Sequence, residues 1–432
     1  MTGTTTNWIE AIPSGWKAKR LKDLFSFGSG LSISKDNLEE KGVPVISYGQ
    51  IHAKFNTGVS IDDRLLRYVS PSYLDTGSSS LVKVGDFIFA DTSEDVEGCG
   101  NCIYIDRDMP LFAGYHTVVL KAPKGGNNKY LAYLFQSEDW RAQIRSQVCG
   151  VKLFSITKSI LNGVKVIVPP INEQEKIVSY LDEKIAAINA TIAARNEELK
   201  LLKKFKQSKI AEVVTHGLTP NVPTKSSPLG EIPAHWEVRR TKDVCTSIFT
   251  GATPSTTVEE FWDGDIPWIP SGCCHDCFIT EAPKYITQAG LENSSTRWIP
   301  AGTTVMAITG ATCAQLGTLK IDACANQSVV AFMEEKIKLN ARYLFYILFA
   351  LRDSILTNRT GGAQAGIDTG DCMNILICLP PLEEQIEIVS YLNDECEKID
   401  KKCTLIEQQM EKLQLLKRAL INEVVTGKRQ LA

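Results

Sequence analysis

Apolar side chains recur in alternating steps of four and three along two stretches of this chain. In 172–215 they are Leu181, Ile185, Ile188, Ile192, Leu199 and Leu202, with Arg195 interrupting the series. The second stretch holds the same phase through Leu392, Cys396, Ile399, Cys403, Ile406, Met410 and Leu413. A 3.5-residue period sustained this far predicts long helices joined along a coiled-coil seam. Segment 172–215 contains neither Gly nor Pro and would span about 66 Å as helix. Pro169 and Pro170 block helix before it, and Asn172 is expected to cap it, with Glu175 completing a capping box. Gly217 and Gly427 stand where left-handed residues would end the two helices. Residues 12–167 and 232–378 show short alternating runs punctuated by Gly, Pro, Ser and Asn, which predict strands joined by irregular loops. Strands are expected at 44–48, 86–90, 117–120, 266–269, 303–308 and 328–332, with one helix late in each region, at 129–147 and 341–357.

The helical stretches belong to a repeat half the protein long. Ile12, Pro13, Trp16, Arg20, Lys22 and Asp23 return as Ile232, Pro233, Trp236, Arg240, Lys242 and Asp243. Residues 168–215 match 379–426 at an offset of 211, with 17 of 48 positions identical where about three are expected by chance. The middles correspond only in fragments, such as 115–119 with 326–330, which sets Tyr115-His116 on Asn326-Gln327. Similar frames around dissimilar centres predict one scaffold used twice to recognise two different things. The first helix delivers the chain to the second region through a Pro/Ser-rich linker, so the second helix must run back. The expected result is an antiparallel pair with a pseudo-two-fold axis. The expected divisions are a first domain at 1–167, a central helix at 168–217, a linker at 218–231, a second domain at 232–378 and a C-terminal helix at 379–428.

Composition narrows the class. The chain has 432 residues, 44% hydrophobic and 22% charged, as in soluble globular proteins. No run approaches the ~18 apolar residues of a membrane span. Thirteen cysteines without an export signal read as reduced thiols, so a cytoplasmic location is expected. Net charge is −3. Residues 1–167 carry 19 basic and 17 acidic side chains, whereas 218–378 carry 12 and 16. Neither region has the positive field that supplies most non-specific nucleic-acid affinity, so a nucleic-acid reader of this composition must borrow grip from a partner.

Several loops nonetheless carry groups suited to base edges. Ser47, Tyr48, Gln50, His52 and Lys54 fall within eight residues, and His116 and Lys152 are added in the same region. The second region offers Thr253, Thr309, Thr312, Gln315, Asn326, Gln327, Arg359 and Gln364. Asn and Gln can pair with adenine, and Arg or Lys with guanine. Catalytic chemistry is not visible. There is no phosphate-binding loop, no dinucleotide fingerprint, and no hydrolase or zinc-protease pattern. Cys99/Cys102 and Cys274/Cys277, the latter flanked by Cys273 and His275, lie in different halves without a second pair, so no metal site is expected.

The opening I-P-x-x-W-x-x-x-[RK]-x-[KR]-D and the closing P-P-x-x-E-Q-x-x-I-V-x-x-L, each occurring twice, resemble the specificity subunit of type I restriction–modification systems. Thr250-Gly251-Ala-Thr253-Pro254-Ser255, Asn326-Gln327 and Gly362-Ala-Gln-Ala-Gly366 are similar to that family's motifs. The first region departs from them. The resemblance implies an α+β fold, with two mixed α/β target-recognition domains separated by a long antiparallel two-helix coiled coil. It implies a bipartite double-stranded DNA target, one half-site per domain, with the helices setting the gap. It further implies two methyltransferase subunits, which would bring S-adenosylmethionine, and motor–nuclease subunits; this chain would bind no cofactor and catalyse nothing. The candidate docking residues are the seam positions Leu181, Ile185, Ile188, Ile192, Leu199, Leu202, Leu392, Ile399, Ile406, Met410 and Leu413, with Lys200, Lys203, Lys204, Lys206 and Lys209 available beside them. Two readings compete, a stand-alone methyltransferase or nuclease and a coiled-coil scaffold without base readout. Cofactor binding by the isolated chain would favour the first, and indifference of the methylation pattern to a domain exchange the second.

Overall fold

Both periodic stretches form single helices, Ile171–His216 and Leu382–Val425. The computed structural model describes residues 8–9, 12–122, 128–150, 152–357, 359 and 366–431. By its contacts the chain divides into two units, residues 1–195 with 408–432 and residues 196–407. Each unit combines one mixed α/β head with a piece of both helices.

Within each unit the helix pieces run antiparallel. In the second, Lys402 pairs with Glu198 at 3.1 Å and Lys206 with Asp400 at 2.7 Å, so numbers fall on one helix as they rise on the other. In the first, Lys417 donates to Asn189 at 2.9 Å. Lys206 and Lys417 are 211 apart, and so are Asn189 and Asp400. The same crossing is built twice.

The seam reading needs one correction. Leu181, Ile185, Leu199, Leu392, Ile399 and Ile406 are all buried within the chain itself. Leu181 and Ile185 join Leu420, Ile421, Val424 and Val425 of the other helix in the first core. Packed on their own molecule, these six have no face left for another protein. Ile188, Ile192, Leu202, Met410 and Leu413 are half-buried. The large apolar side chains that the helices leave more than half exposed are different ones: Leu201, Phe205, Ile386 and Leu405 in the second unit, Ile171, Leu415 and Leu416 in the first.

The start of the first helix also differs from expectation. It begins at Ile171, directly after the prolines, and the Glu173 and Gln174 N–H groups donate to the Pro170 carbonyl, 3.0 Å each. Asn172 is therefore inside the first turn and exposed, not the cap. Proline fits there because first-turn N–H groups have no intrahelical partner to lose. The helix ends are as read, with φ of +75° at Gly217 and +74° at Gly427.

Each head is tied to the start of its long helix by the repeated motifs. Strand Lys17–Arg20 pairs antiparallel with Lys165–Val168, and Glu237–Arg240 pairs in the same way with Leu376–Leu379. The Trp16 indole N–H donates to Glu173 at 2.7 Å, and Trp236 donates to Glu384 at 3.0 Å. One helix in each head then grips both long helices. Tyr130 Oη donates to the Val425 carbonyl and Tyr133 Oη to Asp182; correspondingly, Tyr343 Oη reaches Val214 and Tyr346 Oη reaches Asn393. Large aromatic rings such as Trp140, Tyr343 and Tyr346 are fully or almost fully buried here, which fixes the heads to the helices by apolar burial as well as by hydrogen bonds.

The first head centres on a four-stranded sheet, Ser26–Ser29, Thr117–Lys121, Phe87–Ala90 and Cys102–Tyr104 in spatial order. The second centres on five strands, Cys245–Thr250, Val329–Glu334, Thr304–Ala307, Leu316–Leu319 and Cys277–Ile279. Each late helix is broken in two, into Lys129–Leu134 and Glu138–Arg145, and into Ala341–Ala350 and Arg352–Thr357. In the first head Ser137 causes the break, accepting from the Trp140 N–H as cap of the second piece. The segment read as linker contains a hairpin, Thr224–Ser227 with Gly230–Pro233.

Candidate nucleic-acid interface

Strand register decides which loops share an end of each sheet. In the second head Thr250 pairs with Val330 and Ala307 with Val329, so the ends of these strands meet at one edge. Gly251–Thr253, Ile308–Thr312, Gln315 and Asn326–Ser328 all leave from that edge. Arg359 lies there too, its guanidinium 3.3 Å from the Gly310 carbonyl. Thr253, Thr309, Thr312, Gln315, Asn326, Gln327 and Arg359 are thus brought together; Gln364 lies outside the described residues. The approach of the loops is close. A Cβ on Gly251 would fall on the Ala325 carbonyl, so only glycine passes.

The polar groups at this edge are partly committed. Thr253 Oγ1 donates to Gln327 Oε1 at 2.5 Å, and the Ser328 N–H donates to Asn326 Oδ1 at 3.1 Å. Thr312 Oγ1 turns back to the Thr309 carbonyl at 3.4 Å. Among the described residues the buried Gln315 Oε1 has no hydrogen-bond partner. Trp262 and Trp268 brace the Gly251–Ser255 loop, their indoles donating to the Ser255 and Ala252 carbonyls at 3.1 and 3.0 Å. Neither tryptophan was singled out from sequence, since an indole in a strand carries no pattern of its own.

The first head builds the equivalent edge from other residues. Leu31 N–H donates to the Ala113 carbonyl and Gly114 N–H to Ile46, as Ala252 does to Ala325 and Asn326 to Ile269. Asp91 N–H donates to the His116 carbonyl, as Ile308 does to Ser328. These bonds align the heads at an offset of 212 here, one residue from the expected 211. Gly114-Tyr115, not Tyr115-His116, occupies the place of Asn326-Gln327, and His116 matches Ser328. Alignment on the apolar Val118-Val119 pair hid the shift, because Val329-Val330-Ala331 is apolar throughout. His116 has φ +54°, a conformation in which few non-glycine residues settle.

Tyr48, Tyr115 and His116 gather at this edge, Tyr48 lying 5.6 and 5.4 Å ring to ring from the other two. His116 Nδ1 is 3.5 Å from Asp91 Oδ1, an ion pair only when the imidazole is protonated. Lys152 is exposed and leads into strand Phe154–Ser155, which pairs with Thr92–Ser93. Lys54 is exposed two residues beyond His52. Two of the expected contact residues, Ser47 and His52, are turned inward, and Gln50 is partly committed. Ser47 is buried and its N–H donates to Gln50 Oε1 at 3.1 Å. His52 Nε2 donates to the Thr92 carbonyl at 2.8 Å, while Nδ1 accepts a hydrogen bond from the Asn101 amide at 3.1 Å. Asn101 in turn accepts from Arg141 at 2.8 Å, and burial holds the Arg141 guanidinium below its ordinary pKa. Ser47 and His52 therefore shape the loop from inside, while half-buried Gln50 has only its Oε1 engaged, as Asn326 has its Oδ1 in the second head.

Elsewhere the chemistry is quiet. All thirteen cysteines are free of disulfides, and burial pushes the Cys102 and Cys274 thiols up to about 12, far from the thiolate a nucleophile requires. Among the described residues no group of three or more His, Cys, Asp or Glu side chains is placed to hold a metal. No helix among them is long and apolar enough to cross a membrane. A cavity of about 770 Å³ in the second unit, lined by Phe278, Phe345, Tyr346 and Phe349 among others, takes in none of the expected DNA-contact residues.

Comparison with known proteins agrees with this architecture. Residues 13–201 and 233–415 each match the type I restriction modification DNA specificity domain. The chain is 23% identical to a Methanocaldococcus jannaschii protein assigned as the MjaX type I restriction enzyme specificity subunit, across 97% of this chain and 95% of the other. It is 28% identical to the EcoR124I/EcoR124II specificity subunit of Escherichia coli over 34% of this chain and 37% of that one. A chain in a solved structure of a type I restriction–modification system superposes with a TM-score of 0.72 at 19% identity, covering 97% of this chain and 99% of the other. With two matched domains spanning most of its length, the chain belongs to the type I restriction–modification DNA specificity family.

Proposed function

We propose that each head reads one half of a bipartite double-stranded DNA target, and that the long helices set the number of unread bases between the halves. One observation carries this reading. Both heads aim polar loops from the same edge of equivalent sheets, yet place different residues at equivalent positions, Gly114-Tyr115 against Asn326-Gln327. A duplicated frame with divergent contact residues is what two unlike half-sites require. Contacts to phosphate fix register, and contacts to base edges specify sequence.

The remaining parts of the complex follow from the same reading. Two methyltransferase subunits dock on the apolar faces the helices leave open, around Phe205 and Leu405 in the second unit and Leu416 in the first. They bring S-adenosylmethionine and the methylating site, and motor–nuclease subunits join that core in the cytoplasm. This chain supplies recognition and no catalysis. Sequencing the methylated bases of the source genome with and without this gene tests the proposal. A split motif with methylated adenine on both strands should disappear on deletion; an unchanged methylation pattern would overturn the reading.

A further inference from the structure

The second head presents an unusual chemistry for a DNA-facing edge. Its region carries four more acidic than basic side chains, so a conventional cationic grip on phosphate is lacking. Its two amides are committed in one sense only. Asn326 Oδ1 is taken by a backbone N–H, which fixes the orientation of that amide, since a backbone N–H can only donate. Gln327 Oε1 is taken by the Thr253 hydroxyl. Among the described residues neither amide nitrogen has a partner, and Gln327 is exposed. What faces outward is a pair of neutral N–H₂ donors, with one lone pair of each amide oxygen already engaged.

We propose that Asn326 and Gln327, with Thr253 as the positioning residue for Gln327, form a neutral clamp on the DNA phosphodiester backbone at the second half-site. The inference rests on the reading that this head contacts DNA. Phosphate oxygens only accept hydrogen bonds, so a surface whose free groups are chiefly donors matches them, whereas bidentate pairing with adenine also needs the amide oxygen, which already holds one internal bond. The first head solves the same problem with charge. At the cap following its equivalent edge it carries Thr157 and Lys158, where the second head has Asp368 and Thr369, and Lys158 Nζ lies 2.8 Å from Ser29 Oγ.

The test uses the assembled chain with its methyltransferase subunits and a duplex bearing the methylated motif. Asn326→Asp and Gln327→Glu keep the internal acceptors while deleting the outward donors, so the loops should fold unchanged. Each is expected to weaken binding about tenfold or more, from the lost hydrogen bond to a charged group together with the added carboxylate charge facing phosphate, with the methylated motif unaltered. Gln327→Met should weaken binding without changing the salt dependence, while Lys158→Met should reduce the slope of log K against log salt by about one. Unchanged affinity in all three amide variants would overturn the clamp, and so would a motif altered in its second half. Failure of the unsubstituted complex to bind any duplex would instead overturn the DNA-reading assignment itself.

Discussion

Individual side chains distinguish the two copies of the frame more sharply than the elements do. Lys206 and Lys417 hold equivalent seam positions, but Lys206 meets a carboxylate and Lys417 only an amide. Burial therefore lowers the Lys417 pKa from its ordinary 10.5. The unfolded chain binds more protons than the folded one between that lowered value and 10.5, so this residue makes stability rise with pH through that window. Below it the penalty is constant. Lys417→Met should then stabilise the protein near neutral pH on the order of 1 kcal/mol and flatten the alkaline rise, read by denaturation across pH. Asn189 is exposed and loses little when its partner goes. Lys206→Met should lose only the contribution of an exposed ion pair, about 0.2–1 kcal/mol, because Asp400 is exposed and stays solvated. Residue-scale roles were the least legible in the sequence. Ser47, Gln50 and His52 read as contact groups because polar side chains on a Gly-containing loop look alike whether they face out or in. For His52 the network through Thr92, Asn101 and Arg141 separates the cases, and it joins residues 40 to 50 positions apart.

Elements were read well wherever their period was long. A 3.5-residue repeat kept over four turns or more cannot be satisfied by a strand, so both long helices and their antiparallel pairing were visible in the sequence. Short strands were placed to within a few residues, but their register was not. The shift between offsets 211 and 212 is a single residue, and a uniformly apolar run has no alternation to fix it. Helix ends depend on backbone geometry that Gly announces plainly. A side chain at Gly217 or Gly427 must adopt a left-handed conformation costing about 1–2 kcal/mol. At Gly427 a Cβ would also strike the Pro13 ring, whereas at Gly217 its nearest neighbours are 3.1 Å away. Gly427→Ala should consequently cost more than Gly217→Ala in chemical denaturation. Equal losses would mean that the contact between the opening motif and the helix end is slack.

At the scale of the whole chain, duplication is what makes specificity modular. Each head is fixed to the long helices by its own strand pair, its own indole–carboxylate bond and its own tyrosines, so exchanging one head need not disturb the other's attachments. The gap between half-sites belongs to the helices and not to either head. The most direct measurement is to replace residues 12–167 with the corresponding region of another family member and sequence the methylated bases of a genome carrying the exchanged chain. One half of the split motif should change to the donor's, while the other half and the number of bases between them stay as they were. A motif that does not change, or one in which both halves change together, would contradict independent reading by two heads on a shared helical frame.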